Sequence, residues 1–167
     1  FYVSTDAGES FNLVDAGLPQ IDFGRIDTAD KTEIRVEGRR SSVIYIAAGS
    51  EGLYKLVYGV SDGSLSLKRL SADGDCVFRV GLGLGKNGGD YLADKKAVYL
   101  CGVIDGQYGF YRSFDDCVTY ERINNDRQMF GDINSIDGDK RVFGRFFIAT
   151  GSRGVIYGEA CGEGENI

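Results

Sequence analysis

Ser4-Thr5-Asp6-Ala7-Gly8-Glu9-Ser10-Phe11 is the stretch that decides the fold, because the chain repeats it. The second copy, 109 residues later, is Ser113-Phe114-Asp115-Asp116-Cys117-Val118-Thr119-Tyr120. A degenerate third copy, Ser61-Asp62-Gly63, lies halfway between them, so the repeat is about 54 residues long. The aspartate carboxylate of such a motif accepts backbone N–H groups in a tight turn, and glycine supplies the positive φ. The motif therefore predicts a repeated β-hairpin.

Short runs of alternating apolar and polar residues lie between the copies of the motif. They are rich in β-branched and aromatic residues and are separated by Gly, Asp and Ser, which is typical of short β-strands. They cover residues 42–47, 53–58, 65–70, 76–80 and 97–100. No window shows convincing helical spacing. We therefore predict an all-β chain with about eleven to thirteen strands in three to four blade-like sheets, whose innermost strands include Val77–Leu84.

The repeated motif, S-x-D-x-G-x-[S/T]-aromatic, is similar to the Asp-box of sialidase-like β-propellers. A four-stranded unit of about 54 residues has the size of a propeller blade. In such blades the box joins the third strand to the fourth, so the chain is expected to begin inside one blade. It is expected to end inside another, after a third strand at Val155–Gly158. A chain that begins and ends inside blades is compatible with three alternatives: a fragment of a longer polypeptide, a processed subunit and a self-assembling protomer.

The sequence pattern predicts structural roles for several residues. The box residues in this group are Ser4, Asp6, Gly8, Phe11, Ser113, Asp115, Thr119 and Tyr120. The alternating glycines Gly81, Gly83 and Gly85 are expected to let inner strands crowd near the propeller axis. The pair Lys95-Lys96 is interpreted as solvated turn charges.

The composition disfavours several function classes. The chain has no His, which removes Ser-His-Asp triads, Cys-His pairs and His-ligated zinc. Its 19 Lys and Arg against 25 Asp and Glu give a formal net charge of −6, which disfavours nucleic acid as a partner. No apolar run approaches the ~20 residues that span a bilayer, so no membrane partner is expected. No motif requires a cofactor or a metal, and the first residues do not form a signal peptide.

Four cysteines are present, and none forms a Cys-x-x-Cys pair. Cys76 begins a predicted inner strand and Cys101 lies late in the next, antiparallel strand, so we predict that these two face each other. Cys117 lies in the turn of the second motif, and Cys161 follows the third strand of the next blade, which ends on the same face. The predicted disulfides are therefore Cys76–Cys101 and Cys117–Cys161. Four buried thiols are the alternative.

From Val80 to Glu159 the sequence resembles the carboxyl-terminal end of glycoside hydrolase family 74, the xyloglucanases. The matching segments are Val80–Lys86, Val98–Ser113, Arg122–Asp126, Gly138–Arg145 and Gly151–Gly158. The resemblance implies a pair of seven-bladed propellers with the substrate cleft between them. It makes residues 1–167 a carboxyl-terminal fragment of the second propeller, a partial β-propeller of three to four blades that is incomplete at both ends.

The same resemblance implies a secreted endo-β-1,4-glucanase that hydrolyses xyloglucan with inversion, using one Asp from each propeller. Both family Asp residues lie upstream of the matched region, so we assign no catalytic residue in this chain. The implied partners are xyloglucan or a related β-glucan and the remainder of the same enzyme, and the implied location is extracellular. The alternative is a non-catalytic β-propeller module that binds glycan or protein, as the missing catalytic residues and the degenerate middle repeat would suggest.

Propellers usually bind ligands on the face that carries the second-to-third and fourth-to-first connections. Two predicted connections on that face carry aromatic, amide and carboxylate side chains, which stack on sugar rings and bond to hydroxyl groups. The predicted substrate-binding residues are Tyr108, Asn125, Asp126, Gln128 and Phe130. The alternative is that they are ordinary loop residues, with Asp126 accepting from a turn. An acid–base pair of Asp126 with Asp132 is less favoured, since Asp and Asn cluster in loops for turn geometry.

Overall fold

The computed structural model describes residues 2–19, 32–38, 42–59, 61–86 and 96–159. These residues form thirteen strands. The strands are β1 Tyr2–Val3, β2 Asn12–Leu13, β3 Thr32–Val36, β4 Val43–Ala48, β5 Leu53–Tyr58, β6 Leu65–Arg69, β7 Cys76–Gly83, β8 Ala97–Ile104, β9 Gln107–Ser113, β10 Glu121–Arg122, β11 Ile133–Gly138, β12 Phe146–Thr150 and β13 Val155–Gly158. None of the described residues belongs to a helix with the length and apolar character needed to cross a membrane.

The strands form four antiparallel sheets, numbered here along the chain. Sheet 1 is β1–β2, sheet 2 is β3–β4–β5–β6, sheet 3 is β7–β8–β9–β10 and sheet 4 is β11–β12–β13. Strands that follow each other in the sequence are neighbours in each sheet, as in a propeller blade. The predicted all-β class and the predicted numbers of strands and sheets are confirmed.

Sheet 3 lies between sheets 2 and 4 and buries side chains on both of its faces. Along β8, Val98 and Leu100 pack against sheet 2, whereas Tyr99 and Cys101 pack against sheet 4. This arrangement explains why β8 is a continuous apolar run, since neither of its faces meets water. The two core clusters therefore hold the three larger sheets together.

The first strands of sheets 3 and 4 approach each other backbone to backbone. A Cβ atom built on Gly81 would lie 2.3 Å from the carbonyl oxygen of Ile136, and one built on Gly83 would lie 3.0 Å from Cα of Gly138. Any side chain at these positions would force β7 and β11 apart. The predicted crowding of inner strands is confirmed for these two glycines, and β7 is an inner strand as expected.

Two carboxylates also join the inner strands. Val80 N of β7 donates to Glu33 Oε2 of β3 at 2.9 Å, and Leu82 N donates to Asp137 Oδ1 of β11 at 2.9 Å. Because β7 is the inner edge of sheet 3, these N–H groups have no partner within their own sheet. Burial raises the pKa of Glu33, and the bond from Val80 opposes that shift. The inner edge of sheet 3 is thus satisfied by its two neighbours.

The first box turn, Ser4–Phe11, has the hydrogen bonds that its motif predicts. Ser10 N donates to Asp6 Oδ1 at 2.9 Å, and Gly8 N donates to Ser4 Oγ at 2.8 Å. Gly8 has a φ of 95°. Hydrogen bonds from the Ser10 hydroxyl, from Ser10 N and from the Ser4 hydroxyl lower the pKa of Asp6 to about 2.

The second box turn, Ser113–Tyr120, repeats this geometry with a cysteine at the glycine position. Thr119 N donates to Asp115 Oδ1 at 3.0 Å, and Cys117 N donates to Ser113 Oγ at 2.9 Å. Cys117 has a φ of 63°, in the left-handed region that non-glycine residues rarely occupy. The hydrogen bonds from Thr119 lower the pKa of Asp115 to about 2.

The predicted disulfide between Cys76 and Cys101 is not formed. The two strands are antiparallel neighbours, as predicted, but the register places Cys76 opposite Val103 and Cys101 opposite Arg79. The register on either side of the β-bulge between Val77 and Arg79 keeps the two cysteines apart, and the sequence pattern did not reveal this register.

Two further sequence interpretations each involve one residue outside the described ranges. Cys117 is a buried, free thiol, and Cys161, its predicted disulfide partner, lies outside the described residues. Lys96 is only 5% exposed, so its interpretation as a solvated turn charge is wrong, and Lys95 also lies outside the described residues.

Replacing Gly81 by Ala is expected to lower the free energy of unfolding by about 1–3 kcal/mol, because the new methyl group would collide with β11. The matched control is Gly151→Ala. A Cβ atom there would make ordinary contact with Cβ of Asp132 at 3.4 Å, and we expect a change within about 0.5 kcal/mol. Urea denaturation of both variants measures the difference, and equal effects would contradict the close approach.

The second box turn should make stability depend on acid pH. The pKa of Asp115 is lower in the folded state than its ordinary value of 3.8, so its stabilising effect is complete above about pH 4. It should be lost as the pH falls towards 2. Urea midpoints between pH 2 and pH 5 should fall less steeply for Asp115→Asn than for the wild type. Identical slopes for the two proteins would show that the carboxylate does not stabilise the turn.

Candidate functional site

The connections that were predicted to form a binding face lie at one end of the strands. The β8–β9 turn meets the start of β7 through a 3.0 Å bond from Asp105 N to Asp75 Oδ1. The β12–β13 turn meets the start of β11 through a 2.9 Å bond from Gly151 N to the carbonyl of Asp132. The connection 123–132 also enters β11 at this end, which we call the loop face.

Asn124 fixes the connection 123–132 to sheet 3. Its Oδ1 accepts a hydrogen bond from Phe110 N at 2.8 Å, and its Nδ2 donates to the carbonyl of Gln128 at 3.2 Å. Ile123 N adds a 2.8 Å bond to the carbonyl of Phe110 and so extends the pairing of β9 beyond β10. A single side chain therefore joins the beginning of the loop, its middle and the strand beneath it.

Asn125 and Gln128 are exposed on the loop and hold its turn with their side-chain oxygens. Gln128 Oε1 accepts from Asn125 N at 3.1 Å, and Asn125 Oδ1 accepts from Arg127 N at 2.9 Å. Because these oxygens accept hydrogen bonds within the turn, a ligand would interact with the amide NH₂ groups of the two side chains. Both residues thus hold the turn through their side-chain oxygens and also carry an amide donor.

Phe130 takes an unusual backbone conformation to place its ring. Its φ is 53°, a left-handed value that is uncommon for a bulky side chain, and Gly131 follows with a φ of 77°. The ring stacks on Phe110, with the centroids 6.1 Å apart and the planes 13° from parallel. The strained loop end therefore carries an aromatic ring to the boundary between sheets 3 and 4.

Tyr108 and Asp126, two of the five predicted binding residues, have other surroundings. Tyr108 is half-buried against the core of sheets 3 and 4, with its hydroxyl 3.3 Å from Cys101 Sγ. Burial raises the pKa of Tyr108. Asp126 Oδ1 accepts from Arg122 Nη2 at 2.9 Å, in an ion pair whose carboxylate is largely exposed.

The other three predicted residues, Asn125, Gln128 and Phe130, line one groove between sheets 3 and 4. The groove has a volume of about 590 Å³, within the range of ligand sites. It extends from the loop face towards the end of β13. Its remaining lining residues are Phe110, Arg112, Glu121, Arg122, Ile123, Asn124, Phe146, Ile148, Ile156, Tyr157, Gly158 and Glu159.

The two carboxylates that line the groove are neutralised by arginines. Arg112 binds Glu121 through two bonds, of 2.9 and 3.1 Å, and Arg145 Nε donates to Glu159 at 2.7 Å. Acid–base catalysis needs a carboxyl that can give or take a proton at the reacting bond, and salt-bridged carboxylates are poorly suited to this role. Both carboxylates of the groove are therefore engaged in ion pairs.

Sequence reasoning missed the apolar wall that sheet 4 contributes. Phe146 and Ile148 of β12 and Ile156 of β13 face sheet 3 across the groove. Their alternation along the strands could have revealed that these residues share one face of sheet 4. The register of Ile148 opposite Ile156 and the packing of sheets 3 and 4 are needed to show that this face meets the loop 123–132.

Comparisons with known proteins agree on one family, although no family model matches the chain. Xyloglucanase Xgh74A of Acetivibrio thermocellus is 35% identical over 160 residues, which is 95% of this chain and 17% of that protein. A probable oligoxyloglucan-reducing end-specific xyloglucanase of Neosartorya fischeri is 32% identical over 166 residues, 95% of this chain and 18% of that protein. The crystal structure of a GH74 xyloglucanase from Xanthomonas campestris matches with a TM-score of 0.65 and 33% identity.

The chain is similar to enzymes of glycoside hydrolase family 74. The Xanthomonas structure covers 78% of this chain, and this chain covers 17% of that structure. The GH74 enzyme of Niastella koreensis has the same fold with a TM-score of 0.61, 27% identity and 75% coverage of this chain. The four sheets are accordingly those of a partial β-propeller. The chain spans about one sixth of the length of the relatives that it matches.

Replacing Asn124 by Ala is expected to loosen the loop of residues 123–132. The change removes the acceptor for Phe110 N and the donor to Gln128, which should cost about 1–3 kcal/mol of unfolding free energy. Hydrogen exchange at Phe110 N should also accelerate. Asn134→Ala, at an exposed position in β11, is the matched control and should change neither measurement. Equal exchange rates in both variants would show that Asn124 does not anchor the loop.

Proposed function

We propose that this chain is part of a secreted endo-β-1,4-glucanase that hydrolyses xyloglucan with inversion. In this proposal it contributes one wall of the cleft that binds the polysaccharide. The observation that carries the proposal is the similarity of 95% of the chain to proteins named xyloglucanases, at 32–35% identity. Because xyloglucan is a cell-wall polysaccharide, the enzyme would act outside the cell that makes it.

The proposed contribution is binding rather than bond cleavage. Inverting hydrolysis uses two carboxyl groups about 6.5–9.5 Å apart, one acid and one base, with a water between them. In the groove both carboxylates, Glu121 and Glu159, are paired with arginines, and on the loop Asp126 is paired with Arg122. The catalytic pair would then come from the remainder of the same enzyme, which is the proposed protein partner of this chain.

The loop of residues 123–130 supplies the chemistry that recognises a sugar. The NH₂ groups of Asn125 and Gln128 can donate to hydroxyl oxygens, and the ring of Phe130 can cover the C–H face of a pyranose. Phe130 is held in place by its stack on Phe110. We place Asn125, Gln128 and Phe130 in direct contact with xyloglucan or a related β-glucan. Tyr108 supports the loop face from beneath, and Asp126 shapes it through its pair with Arg122.

The proposal is tested by Gln128→Glu, which keeps the oxygen that accepts from Asn125 N and removes the amide donor. We expect the Kd of a xyloglucan oligosaccharide, measured by titration calorimetry, to rise about fivefold to tenfold, the effect of one lost hydrogen bond. The matched control is Gln107→Glu, which adds the same charge at an exposed position of β9 outside the groove. Its Kd should stay within about twofold of the wild type.

Two outcomes would contradict the proposal. Unchanged binding in Gln128→Glu, or no binding by the wild-type chain, would remove the loop from the glycan site. Release of reducing sugar by the purified chain, abolished by Asp126→Asn or Asp132→Asn, would show that the chain carries its own acid and base.

A further inference from the structure

Met129 is the single methionine of the chain, and its sulfur contacts the residue that anchors the loop 123–132. Asn124 Nδ2 donates to Met129 Sδ at 3.5 Å. Met129 is half-buried, and the two residues before it, Arg127 and Gln128, are exposed. It belongs to none of the core clusters that the described residues form. The sulfur therefore lies at a polar contact of a surface loop, and not in a core, where methionine commonly fills gaps.

The side-chain amide of Asn124 has more acceptors around it than hydrogens to donate. Its Nδ2 carries two hydrogens. Three acceptors share them: the carbonyl of Gln128 at 3.2 Å, the carbonyl of Asn125 at 3.3 Å and Met129 Sδ at 3.5 Å. The thioether sulfur is the weakest of the three acceptors. The two carbonyls thus orient the amide, and in this orientation its Oδ1 accepts from Phe110 N at 2.8 Å.

Oxidation of the sulfur would change this balance. In the reaction with a peroxide, a sulfur lone pair attacks one peroxide oxygen, the S–O bond forms as the O–O bond breaks, and the second oxygen leaves as water. The thioether loses the two electrons that the peroxide gains. The product carries a polar oxygen in place of a weak acceptor. An N–H···O bond needs about 2.7–3.2 Å by itself. The 3.5 Å between Sδ and Nδ2 therefore leaves too little room for a bonded oxygen, and the Asn124 amide has to move.

The backbone next to Met129 is poorly able to absorb such a movement. Phe130 follows with a φ of 53° and Gly131 with a φ of 77°. A non-glycine residue keeps a left-handed conformation only where its surroundings hold it. Here the stack of the Phe130 ring on Phe110 and the hydrogen bonds of Asn124 hold the loop. A change at Met129 acts on these contacts directly.

We propose that Met129 is an oxidation site, at which a peroxide forms the sulfoxide and thereby releases the loop 123–132 from sheet 3. The sulfoxide oxygen takes an Asn124 amide hydrogen from the carbonyl of Gln128, and Asn124 Oδ1 turns away from Phe110 N. The loop side chains then lose the positions in which they would contact a glycan, so the oxidised protein binds xyloglucan oligosaccharides more weakly. The effect on glycan rests on the proposed function, whereas the release of the loop does not.

The test treats the purified chain with hydrogen peroxide. Peptide mapping by mass spectrometry should locate one added oxygen on Met129. Hydrogen exchange at Phe110 N should then accelerate about fivefold, the effect of one lost hydrogen bond. Treatment with methionine sulfoxide reductases for both epimers should restore the original exchange rate.

Two variants assign the effect to the sulfur. Met129→Leu keeps an apolar side chain without a sulfur, so exchange at Phe110 N should be the same before and after peroxide. It also serves as the control for thiol oxidation, since Cys76 is only half-buried. Met129→Gln places a carbonyl oxygen where the sulfoxide oxygen would lie, and exchange at Phe110 N should be fast in this variant without peroxide.

Three results would overturn the proposal. They are a sulfoxide at Met129 with unchanged exchange at Phe110 N, a Met129 that stays reduced in peroxide that oxidises a short methionine peptide, and an equal response of Met129→Leu and the wild type.

Binding of a xyloglucan oligosaccharide tests the effect on glycan separately. Its Kd should rise about fivefold on oxidation of the wild type and stay unchanged on treatment of Met129→Leu. An unchanged Kd beside accelerated exchange would contradict the step from loop release to glycan binding. If the chain binds no oligosaccharide before oxidation, the proposed function fails, and exchange at Phe110 N still decides whether Met129 controls the loop.

Discussion

The backbone contact between β7 and β11 is the constraint on which the arrangement of sheets 3 and 4 depends. At Gly81, Gly83 and Gly138 no side chain separates the two strands, so the inner edges of the sheets meet backbone to backbone. Towards the outside the sheets are separated by Tyr99, Phe110 and Phe146, which are large. The sheets therefore diverge like blades, and the groove at their outer edges follows from small residues inside and large residues outside.

The same constraint determines where the loop of residues 123–132 can lie. The loop must end at Ile133, where β11 begins, and β11 is fixed by its contact with β7 and by the bond from Leu82 N to Asp137. The loop starts at the outer edge of sheet 3, where Asn124 binds Phe110. It thus crosses the top of the groove from the outer edge to the inner edge. Its exposed side-chain amides lie beside the apolar residues of the groove, an arrangement that would preorganise the proposed sugar site.

The fold could be predicted from the sequence because its signals are local. Strand alternation and the Asp6 and Asp115 motifs depend on residues a few positions apart, and the structure has those strands and turns. The failures concern contacts between strands. The pairing of β7 with β8 places Cys76 opposite Val103 and not opposite Cys101, and no sequence pattern shows this register. The candidate site was predicted only in part. Gln128 and Phe130 belong to one loop, and their residue types are informative in the sequence. Ile156 joins them only through the packing of two sheets, which the sequence does not show.

The two box turns have the same hydrogen bonds, but among the described residues only the second packs against a neighbouring sheet. Their hydrogen bonds agree within about 0.1 Å, although Phe11 of the first turn is 62% exposed and Tyr120 of the second is packed in a core. Backbone hydrogen bonds thus form the turn whatever covers it. In the second turn Cys117 costs about 1–2 kcal/mol in the left-handed region, yet its side chain is 94% buried between sheets 2 and 3.

That burial offsets the strain at Cys117, and it raises the thiol pKa to about 11, so the thiol stays protonated and unreactive at neutral pH. Next to it, Lys55 of sheet 2 donates to Asp116 at 2.7 Å. A glycine at position 117 would relax the turn and remove one buried side chain from this interface. The cysteine therefore strains the backbone of the turn but adds contact between the sheets. This explains why the cysteine occurs in the packed copy of the motif and the glycine in the exposed copy.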